Sequence, residues 1–303
     1  MNNSRQQIKR TISIMPSILW VAGLGLLITA TQLYSRHYDR DKAFARWATF
    51  INEISAHVEE YPYSAGMVIQ DLKYGFSFSY QENEKFISAS LIKLPILCGL
   101  YSMRDHGLVS FDHELVLRKQ DVTPGSGILR KQKLGTRYTI RELLRIMIKE
   151  SDNTAAKMLT RHIGFSRMNM IFQDIGLTST NISHKSFNMT RHKVRDESYT
   201  TPRDISYLLR SVYDQQFCSP VVCREIIDTL KLPDDRSRLA RYLPDEYELA
   251  HKTGLLRGAC HDAGIVFTPR GDYLICIMTE ENQRYYTAKR FIAHIGRLAY
   301  NQI

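Results

Sequence analysis

Residues 86–93 read FISASLIK, and the interpretation of the chain starts from this stretch. The apolar residues that follow Ser90 predict a helix that begins near it. Residues three apart share one face of a helix, so the amine of Lys93 can reach the hydroxyl of Ser90. A serine hydroxyl is a weak nucleophile that needs an adjacent base. The stretch predicts Ser90 as a nucleophile and Lys93 as its base; a simple helix cap at Ser90 is the alternative.

Two further motifs follow in order. Ser151-Asp152-Asn153 begins 61 residues after Ser90, and Lys252-Thr253-Gly254 begins another 101 residues on. A Ser-x-x-Lys match occurs by chance about once in a chain of this length, whereas each later motif should occur in under about one chain in ten. Ser151 as a helix cap and Lys252 as a solvated strand end are the alternatives. The three motifs together favour a single catalytic site.

The residue types suit acyl transfer. Lys252 is expected to be a second cation that helps Lys93 to lose its proton near neutral pH. Ser151 is expected to pass a proton to the leaving nitrogen, and Asn153 to bind an amide of the substrate.

The third motif is expected to bind the rest of the substrate. The hydroxyl of Thr253 can bind a substrate carboxylate. The strand edge after Gly254 can supply the backbone N–H of Leu255. With the N–H of Ser90, this donor would form an oxyanion hole, at about 3 kcal/mol of transition-state stabilisation per donor.

The chain resembles the class A β-lactamase-like serine hydrolases over roughly residues 44–300. The resemblance lies in the motifs and their flanks, which are residues 86–93, 147–156 (MIKESDNTAA), 199–204 (YTTPRD), 251–254 (HKTG) and 261–266 (HDAGIV). It implies an α/β domain with a mostly helical second part. It also implies acyl-serine chemistry on β-lactams or D-alanyl peptides.

Two positions depart from the family pattern. In class A β-lactamases the active-site loop carries a Glu, four residues before an Asn, that activates the deacylating water; here Asn188 is preceded by His184. Glu197 lies too close to residues 200–202 to match that position. Slow deacylation is therefore expected, with Asp196 or Glu197 as possible alternative bases. The strand after Lys252-Thr253-Gly254 also lacks an obvious Arg to hold a substrate carboxylate, and Arg257 is a possible substitute.

Strand patterns lie near both ends of the folded region, residues 44–303, and helical patterns fill about residues 94–230. This order predicts an α/β fold, with an antiparallel sheet built from both chain ends, flanking helices and an inserted, mostly helical subdomain. The expected strands are Ala65–Asp71, Phe76–Tyr80, Glu248–Lys252, Ala263–Thr268 and Tyr273–Thr279, with a hairpin turn at 269–272 and a last helix at Tyr286–Tyr300.

The N-terminal region predicts a membrane anchor. Residues 11–35 are uncharged and just long enough to span a bilayer. Residues 1–10 are expected in the cytoplasm, residues 36–43 form a short charged linker, and the catalytic domain is expected outside the single-pass cytoplasmic membrane. The positive charges on the two sides are nearly balanced. A cleaved signal peptide is the alternative for this segment.

Composition narrows the function classes further. The net charge of +10 is spread along the chain, without a compact basic run, so no nucleic-acid partner is expected. The five cysteines show no zinc-ligand spacing, so no metal and no cofactor is expected, and their disulfide pairing stays open. The expected substrate is a β-lactam or a peptidoglycan stem peptide. A D,D-peptidase and a non-hydrolytic penicillin-binding sensor are the alternatives to a β-lactamase-like hydrolase.

Overall fold

The computed structural model describes residues 29, 31, 32, 34, 35, 37–187, 196–244 and 246–302. The chain divides into two units, Met1–Thr49 and Phe50–Ile303. In the first unit, residues 37–49 are helical, so the segment predicted as a linker is helical from residue 37. The predicted membrane segment lies almost wholly outside the described residues. Within them, no helix combines the length and the apolar character needed to cross a bilayer.

The second unit is built on an antiparallel sheet whose strands come from both ends of the chain, which confirms the predicted fold class. Among the described residues this sheet has five strands in the order β2-β1-β9-β8-β7. Two short strand pairs, β3 with β6 and β4 with β5, lie outside it. The strands are β1 Ser64–Asp71, β2 Ser77–Tyr80, β3 Phe86–Ile87, β4 Glu114–Val116, β5 Arg137–Thr139, β6 Tyr199–Thr200, β7 Glu248–Leu256, β8 Ala259–Phe267 and β9 Tyr273–Glu280.

Strands β7 and β8 are longer than the sequence pattern predicted. They pair as far as Leu256 with Ala259, across a tight turn at Arg257 and Gly258. Lys252 therefore lies inside a strand, and with 1% of its surface exposed it is not the solvated strand end that was considered as an alternative. Because β7 extends to Leu256, the Lys252-Thr253-Gly254 motif lies in the middle of this edge strand.

Helices fill the middle of the chain, as predicted. The helix formed by residues 50–59 is α1; the others are α2 Lys93–Asp105, α3 Ile140–Lys149, α4 Asn153–Ile163, α5 Phe165–Asp174, α6 Pro202–Tyr213, α7 Pro220–Leu230 and α8 Tyr285–Gln302. Helix α2 is the central one, and its residues from Lys93 to Tyr101 are all buried. Each fully buried leucine or isoleucine contributes about 1.5–3 kcal/mol of burial free energy, so α2 is a rigid platform for the residues at its start.

Local signals set the ends of these helices. The hydroxyl of Thr139 accepts the amide of Glu142 at 3.1 Å, while the Glu142 carboxylate accepts the amide of Thr139 at 2.8 Å, a reciprocal capping box at the start of α3. Thr201 caps α6 by accepting the amide of Asp204 at 3.1 Å, with Pro202 in the first turn. Short-range signals therefore account for where α3 and α6 begin.

The β3–β6 pair brings two distant segments together. Ile87 faces Tyr199 across the pair, and the Ser88 amide donates to the Ser198 carbonyl at 2.8 Å. Residues 86–88, which precede Ser90, are thereby hydrogen-bonded to residues 198–200, which precede α6. All five cysteines are free thiols, so neither Cys218 with Cys223 nor Cys260 with Cys276 forms a disulfide.

Candidate active site

Ser90 lies in a short 3₁₀ helix, Ala89–Ile92, that leads directly into α2. Ala89 has φ +46, in the left-handed region that costs a non-glycine residue free energy. Strand β7 approaches this turn closely at Gly254, where an added Cβ would lie 3.3 Å from the Ala89 Cβ and 3.4 Å from the Ser90 amide nitrogen. The lack of a side chain at Gly254 lets the strand backbone reach the nucleophile.

A buried histidine, His261, is hydrogen-bonded to the segment that leads into the same turn. The His261 Nδ1 accepts the amide of Thr279 at 3.1 Å, so its Nε2 carries the proton and donates to the Ile87 carbonyl at 2.7 Å. Burial lowers the pKa of His261 from 6.5 to about 4, which keeps the ring neutral at pH 7. The neutral ring joins β8, β9 and the segment that precedes Ser90.

Lys93 connects the first motif with the second. Its Nζ donates to the Ser151 carbonyl at 2.5 Å and to the Asn153 Oδ1 at 2.7 Å, and it lies 3.2 Å from the hydroxyl oxygens of Ser90 and Ser151. A neutral amine has two N–H groups and one lone pair. When the carbonyl and amide oxygens accept the two N–H groups of the neutral amine, its one lone pair is left to accept a hydrogen bond from one of the two hydroxyls.

The surroundings of Lys93 favour this neutral form. Burial lowers the pKa of Lys93 well below its ordinary value, and the positive charge of Lys252 lowers it further, whereas Asp152 acts in the opposite direction. A lysine of this kind can accept a proton near neutral pH. The pair of Lys93 and Ser90 therefore has the geometry and the charge state of a base beside a nucleophile.

Asp152 builds the second motif through its own carboxylate. One oxygen caps α4 by accepting the Ala155 amide at 2.8 Å, and the other accepts the amides of Ile128 at 2.6 Å and Leu129 at 2.8 Å. Gly127 makes this approach possible: it has φ +112, and an added Cβ would lie 2.2 Å from the Asp152 Oδ2.

The same loop is held by Asn153. Its side-chain amide donates to the Pro124 carbonyl at 3.0 Å, while its oxygen accepts from Lys93. Asn153 therefore connects Lys93 with the loop of Pro124, two contacts that the sequence did not indicate.

Lys252 lies in β7, and its Nζ donates to the Thr253 carbonyl at 2.9 Å. Burial is the main cause and the charge of Arg238 the second cause that together lower the pKa of Lys252 to about 8, against the opposite effect of Asp262. Arg238 is also buried, pairs with Asp235 and donates to the Cys260 sulfur at 3.5 Å. Sequence reasoning missed Arg238, because no motif surrounds it and only the fold brings it beside the strand of Lys252.

One cavity is lined by four of the predicted site residues, which are Ser90, Lys93, Asn153 and Leu255. Residues 87–89 and Ser186, Phe187 and Glu197 also line it. Leu255 is 40% exposed at its mouth. Arg257, considered as a binder of a substrate carboxylate, is instead buried against Glu197, with its Nη1 2.5 Å from the Glu197 Oε1.

The fold therefore brings the predicted residues of all three motifs to one region. Ser90, Lys93, Ser151 and Asn153 are joined by direct hydrogen bonds, Gly254 lies against the nucleophile turn, and Lys252 acts electrostatically on Lys93. His184 occupies the loop position at which class A β-lactamases carry Glu, and it lies in a short helical turn. Asn188, four residues later, lies outside the described residues.

The chain is similar to known proteins over most of its length. The model of the "Beta-lactamase enzyme family" matches residues 49–303. A β-lactamase of Rhodobacter capsulatus is 25% identical over 252 residues, which is 80% of each chain. A solved β-lactamase structure from Sphaerobacter thermophilus has a TM-score of 0.77 at 26% identity, covering 84% of this chain and 97% of that one.

A second kind of relative is equally similar in structure. A leucine-to-glutamate variant of PBP-A, solved as an acyl-enzyme complex with penicillin G, has a TM-score of 0.77 at 28% identity and covers 84% of this chain and 96% of that one. The family match spans most of the chain and includes all three motifs. The chain therefore belongs to the beta-lactamase enzyme family.

Proposed function

We propose that this protein is a serine hydrolase that opens β-lactams through an acyl-enzyme on Ser90 and releases the acyl group slowly. The observation that carries the proposal is the Lys93 amine, buried and 3.2 Å from the Ser90 hydroxyl, with its pKa lowered well below the ordinary value. Membership of the beta-lactamase family and the resemblance to PBP-A, whose variant was solved with penicillin G attached, support the substrate class.

Acylation follows from the arrangement. Lys93 takes the hydroxyl proton as the Ser90 oxygen attacks the lactam carbonyl, and the oxyanion is stabilised by the N–H groups of Ser90 and Leu255. Ser151, whose hydroxyl is also 3.2 Å from the Lys93 amine, relays the proton to the leaving nitrogen. Lys252 and Thr253 bind the substrate carboxylate.

Slow deacylation follows from the missing loop glutamate. Hydrolysis of the acyl-serine needs a water that loses a proton as it attacks, and a general base accelerates this step about 10²–10⁴-fold. Glu197 lines the cavity, but its carboxylate is engaged by Arg257 and by the Ser186 hydroxyl at 3.2 Å. The acyl-enzyme should accumulate.

Mass spectrometry of the protein mixed with benzylpenicillin tests the proposal. We expect a single adduct on Ser90 that persists, with a burst of substrate consumption followed by a slow phase. Ser90→Ala should show no adduct while its circular dichroism and thermal unfolding stay close to those of the wild type. An adduct of undiminished amount on the Ser90→Ala variant contradicts the assignment of the nucleophile, and fast turnover without an adduct contradicts slow release.

A D,D-peptidase is the second candidate. It is favoured by the similarity to PBP-A, which matches this fold as well as the β-lactamase structures do. Release of D-alanine from a pentapeptide that ends in D-Ala-D-Ala, at a rate above that of penicillin release, would favour this activity. Persistent acylation without either product would instead favour a penicillin-binding sensor.

We also propose that residues 11–35 anchor the protein in the cytoplasmic membrane, with the catalytic unit outside. The support is the uncharged run of 25 residues in the sequence, which is long enough for a bilayer.

A further inference from the structure

A buried ion pair connects the end of the loop before α6 with the turn between β7 and β8. The Arg257 Nη1 lies 2.5 Å from the Glu197 Oε1, and the two side chains are 3% and 0% exposed. Arg257 has φ +48, a left-handed conformation that a non-glycine residue adopts at a free-energy cost. Strained residues of this kind concentrate at functional sites, and this one directs its guanidinium at a carboxylate in the cavity wall.

Glu197 lines the same cavity as Ser90, and its position is fixed from several sides. Its second carboxylate oxygen accepts the Ser186 hydroxyl, and its backbone carbonyl accepts the Asn181 side-chain amide at 3.1 Å. Among the described residues, Lys93 lines the same cavity, Lys185 pairs with Asp196 next to Glu197 in the chain, and the Glu280 carboxylate accepts the amide of the cavity-lining residue Ile87 at 3.0 Å.

The cavity also offers a place for a water. Ser88 lines it, is 1% exposed, and its hydroxyl has no hydrogen-bond partner among the described residues. A buried water needs two to four polar partners, and the Ser88 hydroxyl and the Glu197 carboxylate are two of them.

We propose that Arg257 is a positioning residue that restrains Glu197 and keeps its carboxylate from acting as the base of deacylation. The inference rests on the proposed function, because it concerns the acyl group on Ser90. An anion that accepts hydrogen bonds from a guanidinium is a weaker base, since the partner stabilises its charged form. Removing the guanidinium takes a hydrogen-bond donor away from the Glu197 carboxylate and frees the space that the side chain fills.

The step that Arg257 suppresses is hydrolysis of the acyl ester on Ser90 by one water molecule. The water oxygen forms a bond with the acyl carbonyl carbon while the Glu197 carboxylate takes its proton. The ester bond to the Ser90 oxygen then breaks, the Ser90 oxygen takes that proton back, and the product is a free carboxylic acid. No cofactor or further reactant is needed.

The test measures how long the penicilloyl adduct on full-length Arg257→Ala survives. We expect deacylation at least about ten-fold faster than in the wild type, a part of what a general base supplies. Adding Glu197→Gln to Arg257→Ala should abolish the gain, whereas Arg257→Lys, which keeps the charge, should keep the adduct long-lived.

Arg104→Ala is the matched control. It removes an arginine from another ion pair, with Glu225 at 2.6 Å, whose residues do not line the cavity. Arg104→Ala should leave the adduct lifetime unchanged. A shorter lifetime in this variant would show that loss of any ion pair destabilises the protein enough to speed deacylation. If Arg257→Ala fails to fold, Arg257→Met keeps the length of the side chain without its charge and carries the same expectation.

Two results overturn the inference. One is a folded Arg257→Ala or Arg257→Met variant whose adduct lives as long as that of the wild type or longer. The other is a gain that survives Glu197→Gln. Both are distinct from failure of the proposed function, which would appear as a wild type that forms no adduct on Ser90.

Discussion

At the scale of single residues, the two buried lysines of the site differ in the protonation state that each needs. In the proposed mechanism, Lys93 is neutral when it accepts the Ser90 proton, whereas Lys252 is charged when it binds the substrate carboxylate. Lys252 keeps its charge up to about pH 8, because burial and Arg238 lower its pKa only that far. The pKa of Lys93 is lowered well below the ordinary value, with the charge of Lys252 as one cause.

This difference predicts the alkaline limit of acylation. The second-order rate constant of acylation by benzylpenicillin should fall above about pH 8, because deprotonated Lys252 no longer binds the substrate carboxylate. In Lys252→Arg the guanidinium stays charged, so the fall should shift to higher pH even if the plateau is lower. Stopped-flow acylation from pH 6 to 10 measures both profiles. An identical fall in the two proteins would assign it to another group.

His261 predicts a loss of stability in mild acid. Its pKa is about 4 in the folded protein and about 6.5 when unfolded, so between these values the unfolded chain binds more protons. The stabilisation that the neutral His261 ring gives the folded state is therefore complete above about pH 6.5. As the pH falls to about 4, the free energy of unfolding decreases by about 3 kcal/mol. Urea unfolding at several pH values should show a smaller loss in His261→Gln. Equal slopes in both proteins would contradict the prediction.

At the scale of elements, the contact between the β4–β5 loop and the start of α4 depends on one glycine, and the chain offers a matched control. Gly127 and Gly135 both have positive φ, but an added Cβ would strike the Asp152 carboxylate at Gly127 and meets nothing within 4 Å at Gly135. Gly135→Ala should cost about 1–2 kcal/mol of stability, because alanine is strained at positive φ, and should leave acylation unchanged. Gly127→Ala should displace Asp152 and Asn153 and slow acylation at least about ten-fold.

Thermal unfolding and the acylation rate, measured on both variants, separate the strain of the backbone from the collision with Asp152. If the two alanine variants behave alike, the contact between Gly127 and Asp152 has no special role in the second motif.

At the scale of the whole molecule, the position of the catalytic unit relative to the membrane is the main prediction. A β-lactam or a cell-wall peptide is met outside the cytoplasm, so the C-terminus is expected there. A C-terminal alkaline phosphatase fusion should be active and a C-terminal green fluorescent protein fusion dark in a bacterial host. The reverse pattern would contradict the predicted topology. Replacing residues 11–35 by a cleavable signal peptide should release an active catalytic unit.

The sequence alone determined the fold class and the chemistry at the nucleophile. Strand patterns at both ends and helices between them predict the sheet, because the alternation of apolar residues is a local property of each segment. The spacing of Ser90 and Lys93 predicts their contact, because a helical turn sets it. Three short motifs in order were enough to indicate one acyl-transfer site.

Only the tertiary structure decided how the motifs work together. The neutral state of Lys93 requires burial beside Lys252, and the charge on Lys252 depends on Arg238; these are contacts between residues far apart in the chain. The pairing of Arg257 with Glu197 likewise arises where the β7–β8 turn meets the end of a loop. Protonation and pairing depend on desolvation and on neighbouring charges, and folding supplies both by bringing distant segments together.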